Sequence, residues 1–248
     1  IYKNVGRLKE AKLAFQKAVK LDPSSAVFRT NFASVLHELS DFQEAKKQCK
    51  HAIKQDNSLC EAKYNLGLTY QELDEHENAI TQYNLVLRGQ PENAAAAMNI
   101  GYSYQQLGNL EKAAKNYEYA IKLDPTYAQA YVNLSDLYLQ KKEHTAALNI
   151  CEKFLNQHPG NPSLLAFKSI VLVDAGKKNL ARQLVDFKRF LSINYIDTPK
   201  EFSSLSDFNS ALTSYVLSHP TLTYAPQSHA TRKGFHSGEL INSEESAS

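Results

Sequence analysis

An alanine recurs at one fixed interval along most of this sequence, and that period constrains the fold more than any other feature. The column comprises Ala11, Ala45, Ala79, Ala113, Ala147 and Ala181. Four residues after each alanine comes a larger side chain, in the column Phe15, Cys49, Tyr83, Tyr117, Cys151 and Val185. Twelve residues before each alanine from Ala45 onward stands a small residue, in the column Ala33, Gly67, Gly101, Ser135 and Ser169. A fixed period of this kind predicts stacked structural units that contact only their neighbours.

Each unit has the pattern of two helices separated by a short turn. In residues 94–127, apolar residues follow helical spacing up to Leu107, Gly108 breaks the pattern, a second helical stretch starts at Leu110, and Pro125 stops it. The small residue and the alanine allow the two helices to approach closely, while the larger side chain fills the space beside them. A single pair of helices would leave its apolar face exposed to water, so the units must stack. At the start of another second helix, Asp41 and Glu44 have the spacing of a capping box.

These columns resemble the tetratricopeptide repeat: small-x-x-Tyr, then Ala-x-x-x-aromatic, then Pro. Their interval also agrees with the period of about 34 residues that is typical of that family. The resemblance implies an all-α fold, a right-handed α-solenoid of stacked antiparallel helix pairs. We expect repeats at 26–59, 60–93, 94–127 and 128–161, a partial repeat at 1–25 and a degenerate one at 162–195. Together they form a domain over 1–195. In the degenerate repeat, Lys168 replaces the Leu or Ile of the preceding units.

An asparagine ladder is the main candidate for a binding site. Asn31, Asn65, Asn99 and Asn133 recur with the period of the repeat in the first helices, which line the concave groove in this family. An amide both donates and accepts, so it can bind a peptide backbone whatever the side chains. Protein O-linked N-acetylglucosaminyltransferases carry a similar ladder, and the resemblance implies backbone binding here. The alternative is that these amides only join neighbouring helices. Tyr64, Met98 and Tyr102 are neighbouring candidate groove residues.

Charge and composition narrow the class of partner. The formal net charge is +2, and Thr30, Tyr64, Met98 and Val132 occupy positions where a clamp for acidic chain termini would carry Lys or Arg. The lysines lie mostly on second helices, which argues against nucleic acid. No apolar run is long enough to span a membrane. We therefore expect a protein or peptide partner, or the chain's own C-terminal part in the groove, and a cytoplasmic protein.

No catalytic set or metal site is evident in the sequence, and we predict no cofactor bound by this chain. His-x-Asp, His-Glu-x-x-His, Cys-x-x-Cys and Gly-x-Ser-x-Gly motifs are all missing. Cys49 and Cys151 share a column with Tyr83 and Tyr117, which indicates packing and not nucleophilic chemistry. Cys60 lies at a unit boundary.

Residues 196–248 depart from the repeat. We predict one amphipathic helix, roughly 206–218, followed by an irregular tail rich in Ser, Thr, His and Gly. The strings at 207–209, 219–222 and 230–240 resemble the start of 2-oxoglutarate- and Fe(II)-dependent oxygenase domains that follow tetratricopeptide arrays. That resemblance implies Fe(II) and 2-oxoglutarate only in a domain beyond Ser248, so this segment would be a truncated start.

Three functional hypotheses follow. The first is a protein–protein interaction scaffold that holds an extended peptide or a partner helix in its concave groove. The second is the substrate-recruiting part of a 2-oxoglutarate- and Fe(II)-dependent hydroxylase. The third, which depends on the ladder alone, is the targeting region of an O-linked GlcNAc transferase-like protein.

Overall fold

The structure is a computed structural model that describes residues 8–184, 201–218, 223–224 and 235–236. The chain divides into two compact units, residues 1–190 and residues 191–248, and each is described by itself. Within the described residues, no helix is both long enough and apolar enough to cross a bilayer. The predicted boundary at residue 195 falls outside the described residues.

The first unit is built of helices, as the sequence pattern predicts. The first helices of the pairs are α2 (Ala26–Glu38), α4 (Cys60–Glu72), α6 (Ala94–Gln106), α8 (Ala128–Gln140) and α10 (Pro162–Asp174). The second helices are α1 (Leu8–Leu21), α3 (Phe42–Gln55), α5 (His76–Gly89), α7 (Leu110–Leu123), α9 (His144–Leu155) and α11 (Lys178–Leu184). The α1 helix is the second half of the partial repeat, and α10 with α11 forms the degenerate one.

In two of the units, the small residue and the larger side chain pack directly against each other. A Cβ atom added to Gly67 would lie 2.6 Å from the Tyr83 ring, and one added to Gly101 would lie 2.7 Å from the Tyr117 ring. Both tyrosines are fully buried. The close approach of the two helices, which the sequence predicts, therefore depends on the missing side chain of glycine.

Stacking of the pairs buries the apolar faces and produces the solenoid. The second helices α3, α5, α7 and α9 each pack on the first helix of their own unit and on the first helix of the next one. First helices of successive units also touch, at α2–α4, α6–α8 and α8–α10, whereas no two of the described second helices make a comparable contact. The first helices therefore line the inner face of the stack. The all-α solenoid predicted from the repeat is confirmed.

The turns inside the pairs repeat one backbone conformation. Positive φ angles occur at Ser40, Asp74, Gly108, Lys142 and Gly176, at one equivalent position in each unit, and all lie between 56° and 75°. Only two of these five residues are glycine, although the left-handed region costs other L-residues about 1–2 kcal/mol. The turn geometry thus belongs to the repeat and not to the residue that occupies it.

One detail of the prediction is wrong. Asp41 precedes α3 but makes no side-chain capping bond. Its carboxylate instead accepts a hydrogen bond from Lys12 of the preceding unit at 2.9 Å, and Glu44 accepts one from Gln48 at 2.6 Å. In place of the capping box, Asp41 therefore makes a contact between units and Glu44 bonds within its own helix.

The second unit contains a helix and a short strand pair among its described residues. The helix α12 (Leu205–Ser218) lies where the amphipathic pattern predicts it. The strands β1 (Thr223–Tyr224) and β2 (Phe235–His236) pair antiparallel. Most of the segment that resembles an oxygenase entry, including 219–222 and 230–234, lies outside the described residues.

Candidate binding groove

The inner face of the stack is the candidate site, because it is where the predicted residues recur from unit to unit. The first helices run parallel in successive units, so a residue at one repeat position lies beside its equivalent in the next unit. Asn31, Asn65, Asn99 and Asn133 thereby form a column along this face. The four asparagines share one repeat position, and the environments of their side chains differ.

Two of the four amides bond to the preceding unit. Asn99 Nδ2 donates to the Tyr64 hydroxyl at 3.0 Å, and Asn133 Nδ2 contacts the Met98 Sδ at 3.1 Å. In both cases the partner lies 35 residues earlier in the chain. These two contacts join neighbouring first helices, as the structural alternative for the ladder predicts.

The amide nitrogen of Asn65, by contrast, has no bond to the described residues of the preceding unit. Asn65 Nδ2 is shielded from solvent and has no hydrogen-bond partner among the described residues. The residue that corresponds to Tyr64 and Met98 in the preceding unit is Thr30, whose short hydroxyl donates to the Ala26 carbonyl at 2.9 Å. A buried amide donor without a partner costs about 1–3 kcal/mol.

Burial separates the predicted site residues into three groups. Met98 and Asn99 are 8% and 7% exposed, so they form the floor of the groove. Asn31, Asn65, Asn133 and Tyr64 are half-buried. Tyr102 is the most accessible of the set, at 40% exposed. A ligand in the groove would meet Tyr102 and the half-buried group first.

The structure contains a polar network beneath the groove that the sequence analysis did not predict. The hydroxyls of Tyr83 and Tyr117 donate to the side-chain Oε1 atoms of Gln71 and Gln105, at 2.8 and 2.6 Å. Gln71 Nε2 then donates to the Asn99 carbonyl and to Ser103 Oγ in the next unit. Burial raises the pKa of both tyrosines, so they act as neutral donors. The signal in the sequence is a glutamine twelve residues before each tyrosine.

The cations of the described first helices are engaged away from the groove column. Arg29 bonds to Gln48 and to the Pro23 carbonyl, Lys63 is buried and bonds to the Asn57 carbonyl, and Lys168 pairs with Glu152 at 3.1 Å. All of these partners lie on second helices or in turns. Five acidic residues occupy the same helices: Glu38, Glu61, Glu72, Asp136 and Asp174. These three cations are therefore already engaged and are not available to an anionic ligand.

Two of the three thiols, Cys49 and Cys151, occupy sites that suppress nucleophilic chemistry. Burial raises the pKa of Cys49 to about 12, and burial also raises the pKa of Cys151, whose Sγ lies 3.5 Å from Ser135 Oγ. A thiol kept protonated is a poor nucleophile. Among the described residues, no group of three His, Cys, Asp or Glu side chains is arranged to hold a metal ion.

Comparison with known proteins supports the repeat family. A family model described as "Tetratricopeptide repeat" matches residues 64–115 and 98–162, and a second model of the same description matches residues 1–25. Together these matches cover half of the chain. No curated protein matches this sequence.

Solved structures resemble the fold at low sequence identity. A tetratricopeptide repeat protein from Parabacteroides merdae is 20% identical, with a TM-score of 0.64, covering 78% of this chain and 77% of its own. The pilF protein of Pseudomonas aeruginosa is 18% identical, with a TM-score of 0.63, covering 86% of this chain and 92% of its own. YrrB, described as having an unusual peptide-binding site, is 20% identical, with a TM-score of 0.52, covering 70% of this chain and 89% of its own. At these identities the likeness shows the fold alone.

Proposed function

We propose that this chain, which belongs to the tetratricopeptide repeat family, is an interaction scaffold that binds an extended polypeptide segment along its inner face. The half-buried ladder amides Asn31 and Asn65 bind the backbone of the segment, and Asn133 binds it by giving up its contacts with Met98 and Gln129. Tyr64 and Tyr102 provide apolar contact beside them. Met98 and Asn99 support the floor and do not contact the ligand directly.

The state of Asn65 is the observation that carries this proposal. Its Nδ2 is the one solvent-shielded ladder donor without a partner in the described part of the chain, and its side chain is half-buried on the inner face. Rotation about χ2, which is a broad torsion in asparagine, brings the amide nitrogen toward the groove. A backbone carbonyl of a bound segment would then accept its hydrogen bond and remove the cost of an unsatisfied donor.

Substitutions at different ladder positions should affect peptide binding and folding stability differently. Substituting Asn65 with alanine should weaken binding of fluorescein-labelled mixed-sequence 12-residue peptides by about 2- to 10-fold, as measured by fluorescence anisotropy, because one net hydrogen bond is worth about 0.5–1.5 kcal/mol. The variant should fold at least as stably as the parent, since it removes an unsatisfied donor. Asn99→Ala should mainly lower stability, because it removes the bond to Tyr64.

Matched variants keep the test specific. Asn84 lies on the second helix α5, so Asn84→Ala makes the same change away from the groove and should leave affinity unchanged. The combined Asn31, Asn65 and Asn133 alanine variant should lose most of the binding. If it binds the same peptides as tightly as the parent at equal folded stability, these amides serve only the structure and the proposal is wrong.

The remaining functional hypotheses stay predictions. YrrB is described as having a peptide-binding site, and this fits the scaffold hypothesis better than an enzymatic one. For the hydroxylase hypothesis, the coding frame downstream of Ser248 is the direct test. It should encode a strand-rich stretch with His-x-Asp and a later His and Arg. The choice of peptide over nucleic acid rests on the engaged cations of the first helices, and competition of the labelled peptides by single-stranded RNA would contradict it.

A further inference from the structure

Three side chains meet at one corner of the inner face, between units 60–93 and 94–127. Tyr102 of α6 is 40% exposed, and its ring packs edge-on against His76, with the ring centroids 6.3 Å apart. His76 Nε2 lies 3.8 Å from the Asp74 carboxylate, and Glu72 is the last residue of α4. Burial raises the pKa of the Tyr102 phenol, and the nearby Glu72 and Asp74 carboxylates raise it further.

This corner holds two carboxylates with no described lysine or arginine as a partner. Among the described residues, no lysine or arginine forms an ion pair with Glu72 or Asp74, and the Asp74 side chain is 96% exposed. The C-terminal end of α4 adds the partial negative charge of the helix dipole. His76 is 8% exposed, and its Nδ1 has no hydrogen-bond partner in the described part of the chain. An accessible aromatic face beside two carboxylates is the environment that an organic cation prefers.

We propose that Glu72, Asp74 and Tyr102 form a subsite for an arginine side chain of the polypeptide segment held on the inner face. This inference rests on the proposed function and names the chemistry of its partner. A guanidinium group stacks on an aromatic face and donates two parallel hydrogen bonds to a carboxylate. Tyr102 supplies the face, Glu72 the carboxylate at the helix end, and Asp74 a second negative charge. Lysine fits less well, because a compact ammonium group cannot stack.

A small probe tests the subsite without a peptide. Nα-acetyl-arginine amide is titrated into the full chain carrying 13C-labelled tyrosine rings, with the citrulline analogue as the uncharged isostere. The arginine probe should shift the Tyr102 ring resonances, assigned with Tyr102→Leu, and the citrulline probe should not. Glu72→Gln should weaken the effect about three- to tenfold, in line with one exposed ion pair and one cation–π contact. Glu118→Gln, the same change on the second helix α7, should have no effect.

A peptide series then tests the subsite in its proposed context. One position at a time of a 12-residue serine- and alanine-based peptide carries arginine or citrulline, and affinities are measured by anisotropy. Arginine should bind about three- to tenfold tighter than citrulline in one register, and the Glu72→Gln, Asp74→Asn double variant should abolish that preference. Unchanged melting by circular dichroism confirms that these substitutions leave the fold intact.

The outcomes separate the two proposals. Peptides that bind through the ladder but show no preference for arginine would overturn the subsite and leave the groove proposal standing. An arginine probe that shifts Tyr102 while no peptide binds would overturn the groove proposal and support cation recognition at this corner. Equal shifts from arginine and citrulline, or from parent and Glu72→Gln, would overturn the subsite on their own.

Discussion

Replacing Gly101 with alanine should destabilise the array, although alanine is the better helix former. In an open helix the change would stabilise by about 1 kcal/mol. Here the added Cβ would lie 2.7 Å from two atoms of the Tyr117 ring and 3.1 Å from the Ala113 carbonyl oxygen. The ring has no room to retreat, because it is fully buried and its hydroxyl is bonded to Gln105 at 2.6 Å.

The size of the effect follows from these opposing contributions. Inserting a methyl group into a packed core costs about 1–3 kcal/mol. The rigid ring and the backbone carbonyl place this site at the upper end of that range, so we expect a net loss of about 1–2 kcal/mol after the gain in helix propensity. Tyr117→Cys alone should cost more, about 3–5 kcal/mol, because it opens a cavity of aromatic size.

Other units of this chain show which pair of residues at these two positions should pack without a clash. Where the larger column holds cysteine, the small column is no longer glycine: Ala33 accompanies Cys49, and Ser135 accompanies Cys151. The double variant Gly101→Ala, Tyr117→Cys reproduces the first of these pairs. It should be more stable than the sum of the single changes predicts, by about 1–2 kcal/mol, as neighbours in contact commonly couple.

Urea unfolding followed by circular dichroism measures all four proteins, and midpoints are compared together with m-values because repeat arrays can lose cooperativity. Hydrogen exchange at α6 and α7 localises the change. Strict additivity of the two substitutions, or a Gly101→Ala variant as stable as the parent, would refute the argument from packing.

Three further predictions concern other parts of the array. Ser40→Gly should stabilise the array by about 1 kcal/mol in the same urea assay, because the φ of Ser40 is 60° and glycine adopts this region without strain. Lys46 donates to Glu75 at 2.7 Å and lowers the pKa of that carboxyl, so the pair stabilises the fold above the unfolded pKa of glutamate and loses its effect as pH falls through the lowered value. A double-mutant cycle should give about 0.2–1 kcal/mol at pH 7, and the coupling should disappear once the pH is below the lowered pKa. Cys49 is fully buried with its pKa raised to about 12, so Ellman's reagent should modify the half-buried Cys60 first and reach Cys49 only on unfolding; equal rates in the native protein would contradict this packing.

The repeat pattern predicted the fold because its columns record direct contacts. Glycine faces tyrosine across two of the helix pairs, so the two columns constrain each other and stay visible at a fixed spacing. The degenerate unit shows that the fold tolerates a polar residue at one of the apolar repeat positions. Lys168 replaces an apolar residue there, and its stem remains half-buried while its amine reaches Glu152 at 3.1 Å. A long amphipathic side chain can fill an apolar position in this way, which the sequence alone does not reveal.

Contacts between units were harder to predict, because they join residues whose spacing depends on how the units rotate against each other. The capping spacing of Asp41 and Glu44 is a correct local pattern, yet Asp41 pairs with Lys12 across a unit boundary. One unit further on, Lys46 and Glu75 repeat the same pairing at the equivalent positions. That second pair is the signal in the sequence: a lysine and an acid at the same separation, occurring twice in register with the repeat.

The asparagine ladder shows why a repeated position need not have a repeated role. The stacking geometry brings each ladder amide beside one particular residue of the preceding first helix, so the neighbour's side chain decides whether the amide is satisfied. Tyr64 and Met98 are long enough to reach Asn99 and Asn133, whereas Thr30 bonds to its own helix and leaves Asn65 Nδ2 without a partner among the residues described. Exchanging that one neighbour therefore tests the reasoning. Thr30→Tyr should give Asn65 a hydroxyl partner, stabilise the array in urea and weaken peptide binding. If the variant stabilises the array without weakening binding, the unsatisfied Asn65 donor affects stability but does not bind the peptide.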